Sequence, residues 1–151
     1  MAGWLLLAQS LATLYMTGVI WFVQLVQYPM LGEVPPERFA QFEHNYQQRM
    51  VWVVGPMMLL ELATAVAMVW RVPDGVPGWV PWVGLGLLLV ADGSTALFFG
   101  PQHGRLLAGY DDRLHRQLVD YNWLRTVAWT ARALLLLWAI RCWATTGSPS
   151  G

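Results

Sequence analysis

Residues 4–28 read Trp-Leu-Leu-Leu-Ala-Gln-Ser-Leu-Ala-Thr-Leu-Tyr-Met-Thr-Gly-Val-Ile-Trp-Phe-Val-Gln-Leu-Val-Gln-Tyr, without one charged side chain. A helix crosses the hydrocarbon core of a bilayer with about 20 mostly apolar residues. This run is long enough to do so. It is read as a retained span and not as a cleaved signal peptide, because no positive region precedes it and the apolar run exceeds the ~7–15 residues of such a peptide. Three further stretches qualify, at about 51–70, 79–100 and 123–143. A water-soluble four-helix bundle would carry Glu and Lys on the outer face of every turn. These stretches carry almost none. The expectation is an all-α, polytopic membrane protein, one bundle of four transmembrane helices over 1–146, with 147–151 as a flexible tail.

The composition agrees. In 151 residues, 56% are hydrophobic and 12% charged, against roughly 25% charged in soluble domains. All nine basic residues are Arg, and nine acidic residues cancel them. A disordered chain needs low hydrophobicity and high charge. A nucleic-acid partner would call for a basic surplus that is missing here. Cys142 is the single cysteine, which excludes an intrachain disulfide framework and a Cys-based zinc site.

Aromatic residues mark the two membrane surfaces. Trp4, Trp70, Trp79, Trp82 and Trp143 fall toward one side, and Tyr28, Trp52, Tyr121 and Trp123 toward the other. Arg71 and Arg141 lie on the side of the termini; Arg38, Arg49, Arg105, Arg113 and Arg116 lie on the opposite side. The positive-inside rule then places both termini outside and the two longer loops in the cytoplasm.

The two halves follow one plan. A span ends at Pro29 or Pro101, a polar connection follows, and an amphipathic helix feeds into the next span. Pro36 and Glu37 suit a helix first turn; Asp111 or Asp112 suits a cap. Arg49 with Trp52 and Arg125 with Trp129 fall at similar places, which suggests a two-hairpin parallel duplication. The second and fourth helices should overhang the membrane. Their flanks, Phe39, Phe42 and Tyr46 on one and Leu114, Leu118 and Tyr121 on the other, are expected to pack together.

Three ionisable residues sit near the centres of spans: Glu61, Asp92 and Arg132. A charge at the bilayer centre costs at least ~2.5–3.5 kcal/mol, so each must face the bundle interior. Arg132 should pair with Glu61 or Asp92, leaving one acid over. Helical spacing sets Asn122, Arg125, Trp129 and Arg132 on one stripe. Asp92, Thr95, Phe99 and Gln102 form another, Thr13, Thr17, Gln24 and Gln27 a third, and Gln47, Val54, Met58 and Glu61 a fourth. The candidate site is therefore Glu61, Asp92, Arg125 and Arg132, with Asn122 and Gln24 toward the cytoplasmic mouth. Gly55-Pro56 should kink the second helix. Gly84-x-Gly86 is read as close helix packing. Polar groups that merely hold helices together return only ~0.6 kcal/mol per contact, so a functional pocket is favoured over structural glue.

His44, His103 and His115 all lie on the loop side, where they are weak candidates for a metal or haem site. No His-x-x-x-His and no Glu-x-x-His occurs, and Asp112-x-x-His115 is a single copy. Surface or internally satisfied histidines are the favoured reading. Nucleophile elbows, phosphate loops and dinucleotide fingerprints are missing.

The run from Gly18 to Pro29, the stretch Arg49 to Glu61, the segment Asn122-Trp-Leu-Arg-Thr126 and the segment Trp129-Thr-Ala-Arg132 together resemble a group of small, uncharacterised bacterial four-span membrane proteins. That group is loosely similar to the anthrone-oxygenase-like membrane family. The resemblance implies a bacterial inner-membrane location and an oxidative role on a small hydrophobic molecule. It carries no catalytic residue across. Three function classes follow. The first is binding or oxidative modification of a small hydrophobic ligand. The second is a small transporter or proton-coupled channel, which would call for a homo-oligomer. The third is a structural or accessory subunit.

Overall fold

The computed structural model describes residues 2–106 and 109–146; the tail at 147–151 lies outside the described residues. Four helical rods account for nearly all of them. The first joins α1 (Ala2–Phe22), a π-helical turn (Val23–Gln27) and α2 (Tyr28–Leu31). The second is α3 (Pro36–Trp70). The third joins α4 (Val80–Ser94), a second π-helical turn (Thr95–Phe99) and α5 (Gly100–Leu106). The fourth is α6 (Asp112–Thr146). No strand occurs among the described residues. All four rods are long and apolar enough to cross a membrane, and they pack side by side with α1 and α4 on opposite corners, α3 and α6 on the others.

Lipid, not water, suits the outer surface. Leu11 is 66% exposed, Leu59 71%, Leu97 77% and Leu134 64%, one from each rod. Apolar side chains this exposed on every face of a bundle would be a liability in water. The aromatic belts hold in part: Trp4, Trp52, Trp70, Trp79, Trp82, Tyr121 and Trp123 face outward, but Tyr28 is buried inside the bundle.

The two π turns share a local cause. A proline ring clashes with the carbonyl four residues earlier and offers no N–H. Pro29 and Pro101 oppose Leu25 and Leu97, each the middle residue of its five-residue π turn. Widening the helix there relieves the clash; the Tyr28 N–H bonds to the Val23 carbonyl five residues back. The second and fourth rods repeat one another as well. Each is a single helix of 35 residues, with Arg49 and Arg125 at the same step along it. Asp111 Oδ1 accepts the Leu114 N–H at 2.8 Å and caps α6 as expected. Gly55-Pro56 does not interrupt α3, which stays α-helical throughout.

Three apolar layers alternate with two polar ones along the bundle. Leu6, Met68, Val76, Val80, Leu136 and Ala139 close the terminal end. Met16, Ile20, Ala91, Ala128 and Trp129 form the middle. Leu31, Phe39, Leu106 and Leu118, with Leu114 beside them, seal the loop end. The overhanging flanks thus pack through Phe39, Leu114 and Leu118, whereas Phe42 and Tyr121 point outward.

Candidate functional site

The first polar layer lies between the terminal and middle apolar layers, and all four rods contribute. Glu61 on α3 and Arg132 on α6 are fully buried. Arg132 Nε donates to Glu61 Oε1 at 2.8 Å. Thr13 Oγ1 of α1 donates to the same oxygen at 2.5 Å, and Trp129 Nε1 donates to Glu61 Oε2 at 3.1 Å. Arg132 Nη1 donates to the Gly84 carbonyl of α4. A Cβ on Gly84 would stand 3.3 Å from that nitrogen, so the missing side chain makes room for the guanidinium. Gly86 faces open space and has no such role. The Glu61–Arg132 pair spans the diagonal of the bundle, between two helices that are not packing neighbours.

Asp92 is not the partner of Arg132. It lies eight residues beyond Gly84 toward the loop side, about 12 Å along a helix. It is only half-buried, and its buried Oδ1 lacks a hydrogen-bond partner. It is the acid left over.

The second polar layer lies nearer the loops. Asn122 Nδ2 donates to Gln24 Oε1 at 2.8 Å, Gln24 Nε2 donates to the Val119 carbonyl at 3.3 Å, and Arg125 Nη1 donates to Asn122 Oδ1 at 3.2 Å. Arg125 also stacks over the Trp129 ring, 5.3 Å from its centroid. Since Trp129 donates to Glu61, one indole joins the two polar layers. The six residues anticipated as a single charged centre therefore divide into the pair Glu61–Arg132, the chain Gln24–Asn122–Arg125, and Asp92 apart.

The sequence reading missed four members of this layer as site residues: Glu43, Tyr28, Tyr46 and, as more than a stripe position, Gln47. Glu43 is fully buried although it sits in the overhang of α3. Its Oε1 accepts His103 Nδ1 at 2.5 Å and Gln47 Nε2 at 2.8 Å. Gln47 also donates to the His103 carbonyl at 3.0 Å. The Tyr28 hydroxyl stands 3.5 Å from His103 Nε2. A buried acid four residues before Gln47, on the same face, was the available signal.

The three histidines do not converge. His103 meets Glu43, His115 donates to the Tyr28 carbonyl at 2.8 Å, and His44 lies exposed beside Gln48. His115 thereby satisfies a carbonyl at the end of α2, a position that lacks an in-helix partner. Asp112 bonds Arg116 at 3.1 Å and accepts the Tyr110 hydroxyl, not His115. Burial, and then that bond to Asp112, raise the Tyr110 hydroxyl above its ordinary ionisation range. Among the described residues no group of three His, Cys, Asp or Glu side chains is placed to hold a metal ion.

A cavity of about 220 Å³ adjoins the second polar layer. Met16, Val19, Ile20, Val23, Met50 and Val54 line its apolar part; Tyr28, Tyr46, Gln47, Thr95, His103 and Arg125 line its polar part. Val51, which points outward, also borders it, so the cavity reaches the outer face beside the second rod. Each π turn contributes one residue, Val23 and Thr95. Such turns recur at functional sites because they re-aim the side chains around them. The side chain of Phe99 lies outside the described residues. Comparison of the chain with protein-family profiles, with curated proteins and with solved structures yields no match.

Proposed function

We propose that this membrane protein binds a small, ring-sized hydrophobic molecule that carries one polar head, with the ring among Met16, Ile20, Val23 and Val54 and the head at Arg125, Tyr28, Tyr46 and His103. The observation that carries the reading is the cavity's two-part lining. Pockets for small molecules are mostly apolar, with a few converging polar groups that fix orientation. An apolar cavity of about 150 Å³ holds benzene, so the volume here suits one or two fused rings. Arg125 and two tyrosine hydroxyls suit a hydroxyl, carbonyl or carboxylate head. The opening at Val51 suits entry from the bilayer, where such a molecule partitions.

The resemblance to the anthrone-oxygenase-like family extends this reading to oxidative modification of the ring. The Arg distribution extends it to topology, with the polar end of the cavity on the cytoplasmic side of a bacterial inner membrane and both termini outside. The Glu61–Arg132 layer beneath the cavity holds the four rods in place.

Binding of 2-naphthol and naphthalene to the detergent-purified chain, by equilibrium dialysis, tests the proposal. Saturable binding of 2-naphthol is expected, with naphthalene weaker by about ten-fold or more for want of a charge-assisted hydrogen bond. Val54→Trp, which fills the apolar part, should abolish it. Equal, non-saturable uptake of both compounds by wild type and Val54→Trp would overturn the reading.

A further inference from the structure

The pair Glu43–His103 holds one ring nitrogen of a histidine free at the wall of this cavity. Glu43 Oε1 accepts from both His103 Nδ1 and Gln47 Nε2. A side-chain amide nitrogen is always a donor, so the oxygen between the two is an acceptor, and Nδ1 carries the proton that His103 gives to it. The tautomer follows: Nε2 is the lone-pair nitrogen. It faces the Tyr28 hydroxyl and the cavity that His103 lines. Gln47 locks the arrangement from both ends, through the carboxylate and through the His103 carbonyl. A buried carboxylate on one nitrogen of an imidazole orients the ring and stabilises the imidazolium that forms when the other nitrogen takes a proton.

Resting on the proposed binding function, we infer that the site ionises its ligand: His103 Nε2 accepts the proton of a phenol or enol hydroxyl, and Arg125 holds the oxyanion. The O–H bond breaks, its electron pair stays on oxygen, and the proton forms the N–H bond at Nε2. The imidazolium then rests on the Glu43 carboxylate. No other reactant is consumed. The ligand class is a weakly acidic, ring-sized hydroxyl compound. The groups facing His103 are Glu43 and Tyr46 from α3, Tyr28 from α2 and Arg125 from α6, with Asp92 of α4 acting on Arg125 from beyond it. Glu43 is a positioning residue in this step and His103 the proton acceptor.

The probe is 4-nitrophenol, whose neutral and ionised forms absorb at different wavelengths. Total binding to the detergent-purified full chain is measured by dialysis. The ionised fraction is measured by absorption, and proton release by an indicator in weak buffer. At a pH below the probe's own ionisation range, the bound probe is expected to be ionised at least about ten-fold more than free probe, as a fixed positive charge at contact distance dictates. No matching proton should reach the buffer, because His103 keeps it. His103→Gln should still bind the probe but lose the ionised signal, and Glu43→Gln should do the same in part.

Bound probe that stays neutral in the wild type would overturn the inference and leave the binding function standing. So would an ionised signal that survives in His103→Gln, or one accompanied by stoichiometric proton release. Failure of the wild type to bind any ring-sized hydroxyl compound would sink both. The wild-type measurements decide the matter even where a variant does not fold.

Discussion

Arg132→Met removes the cation from the diagonal pair and leaves Glu61 with two neutral donors, Thr13 and Trp129. The Gly84 carbonyl loses its donor as well. Breaking a buried pair from one side costs about 3–5 kcal/mol, and a lone charge at the bilayer centre about 2.5–3.5 kcal/mol. Both figures agree on roughly 3 kcal/mol. At ~2–4 °C per kcal/mol for a chain of this size, the variant should melt about 6–12 °C below wild type in detergent. Adding Glu61→Gln removes the stranded charge. What then remains is the loss of two or so hydrogen bonds at ~1 kcal/mol each, partly made up by new ones to the Gln amide. The double variant should therefore recover about 2 kcal/mol of the single-variant loss. Thermal unfolding of the wild type, both single variants and the double variant, followed by near-ultraviolet circular dichroism, measures the coupling. Single effects that add to within ~0.5 kcal/mol, the behaviour of independent sites, would refute the pairing on which the whole central layer rests.

Gly84→Ala should cost about 1–3 kcal/mol by overpacking against Arg132, and the cost should shrink when Arg132→Met is already present; melting of the two backgrounds checks this. Gly75 has φ +79°, and a Cβ there would strike the Thr146 side chain; Gly75→Ala should lose about 1–2 kcal/mol to backbone strain alone, a loss that Thr146→Ala does not restore. Asn122→Ala leaves Gln24 and Arg125 without the group between them and should cost about 1–3 kcal/mol; because Arg125 is then no longer held, 2-naphthol binding should weaken in the same dialysis assay.

Much of the architecture was legible residue by residue. Spans at 4–28, 51–70, 79–100 and 123–143 fall inside the four rods, and the overhangs begin at Pro36 and Asp112 as their capping residues require. The stripe Asn122, Arg125, Trp129, Arg132 is buried at every position, because a regular helix repeats its face every 3.6 residues. The third-rod stripe fared less well: Asp92, Thr95 and Gln102 are only half-buried. There the π turn intervenes, and five residues of wider helix rotate everything beyond them. Tyr28 was misread for a related reason. It follows the other π turn, and its place near a span end resembles that of a surface tyrosine.

Transfer of an apolar run into hydrocarbon depends on the run alone, so the sequence by itself determined that there are four spans, that they are helices, and that Glu61 and Arg132 must turn inward. Which side chains meet depends on how each rod is rotated and how far it slides against its neighbours. Only the tertiary structure decided that Glu61 rather than Asp92 takes Arg132, that Glu43 and His103 join across 60 residues of chain, and that a cavity opens between the π turns. The physical reason is one of distance. A hydrogen bond tolerates a few tenths of an ångström, whereas one step along a helix moves a side chain by 1.5 Å and about 100°, and periodicity in a sequence cannot resolve that step across four separate helices.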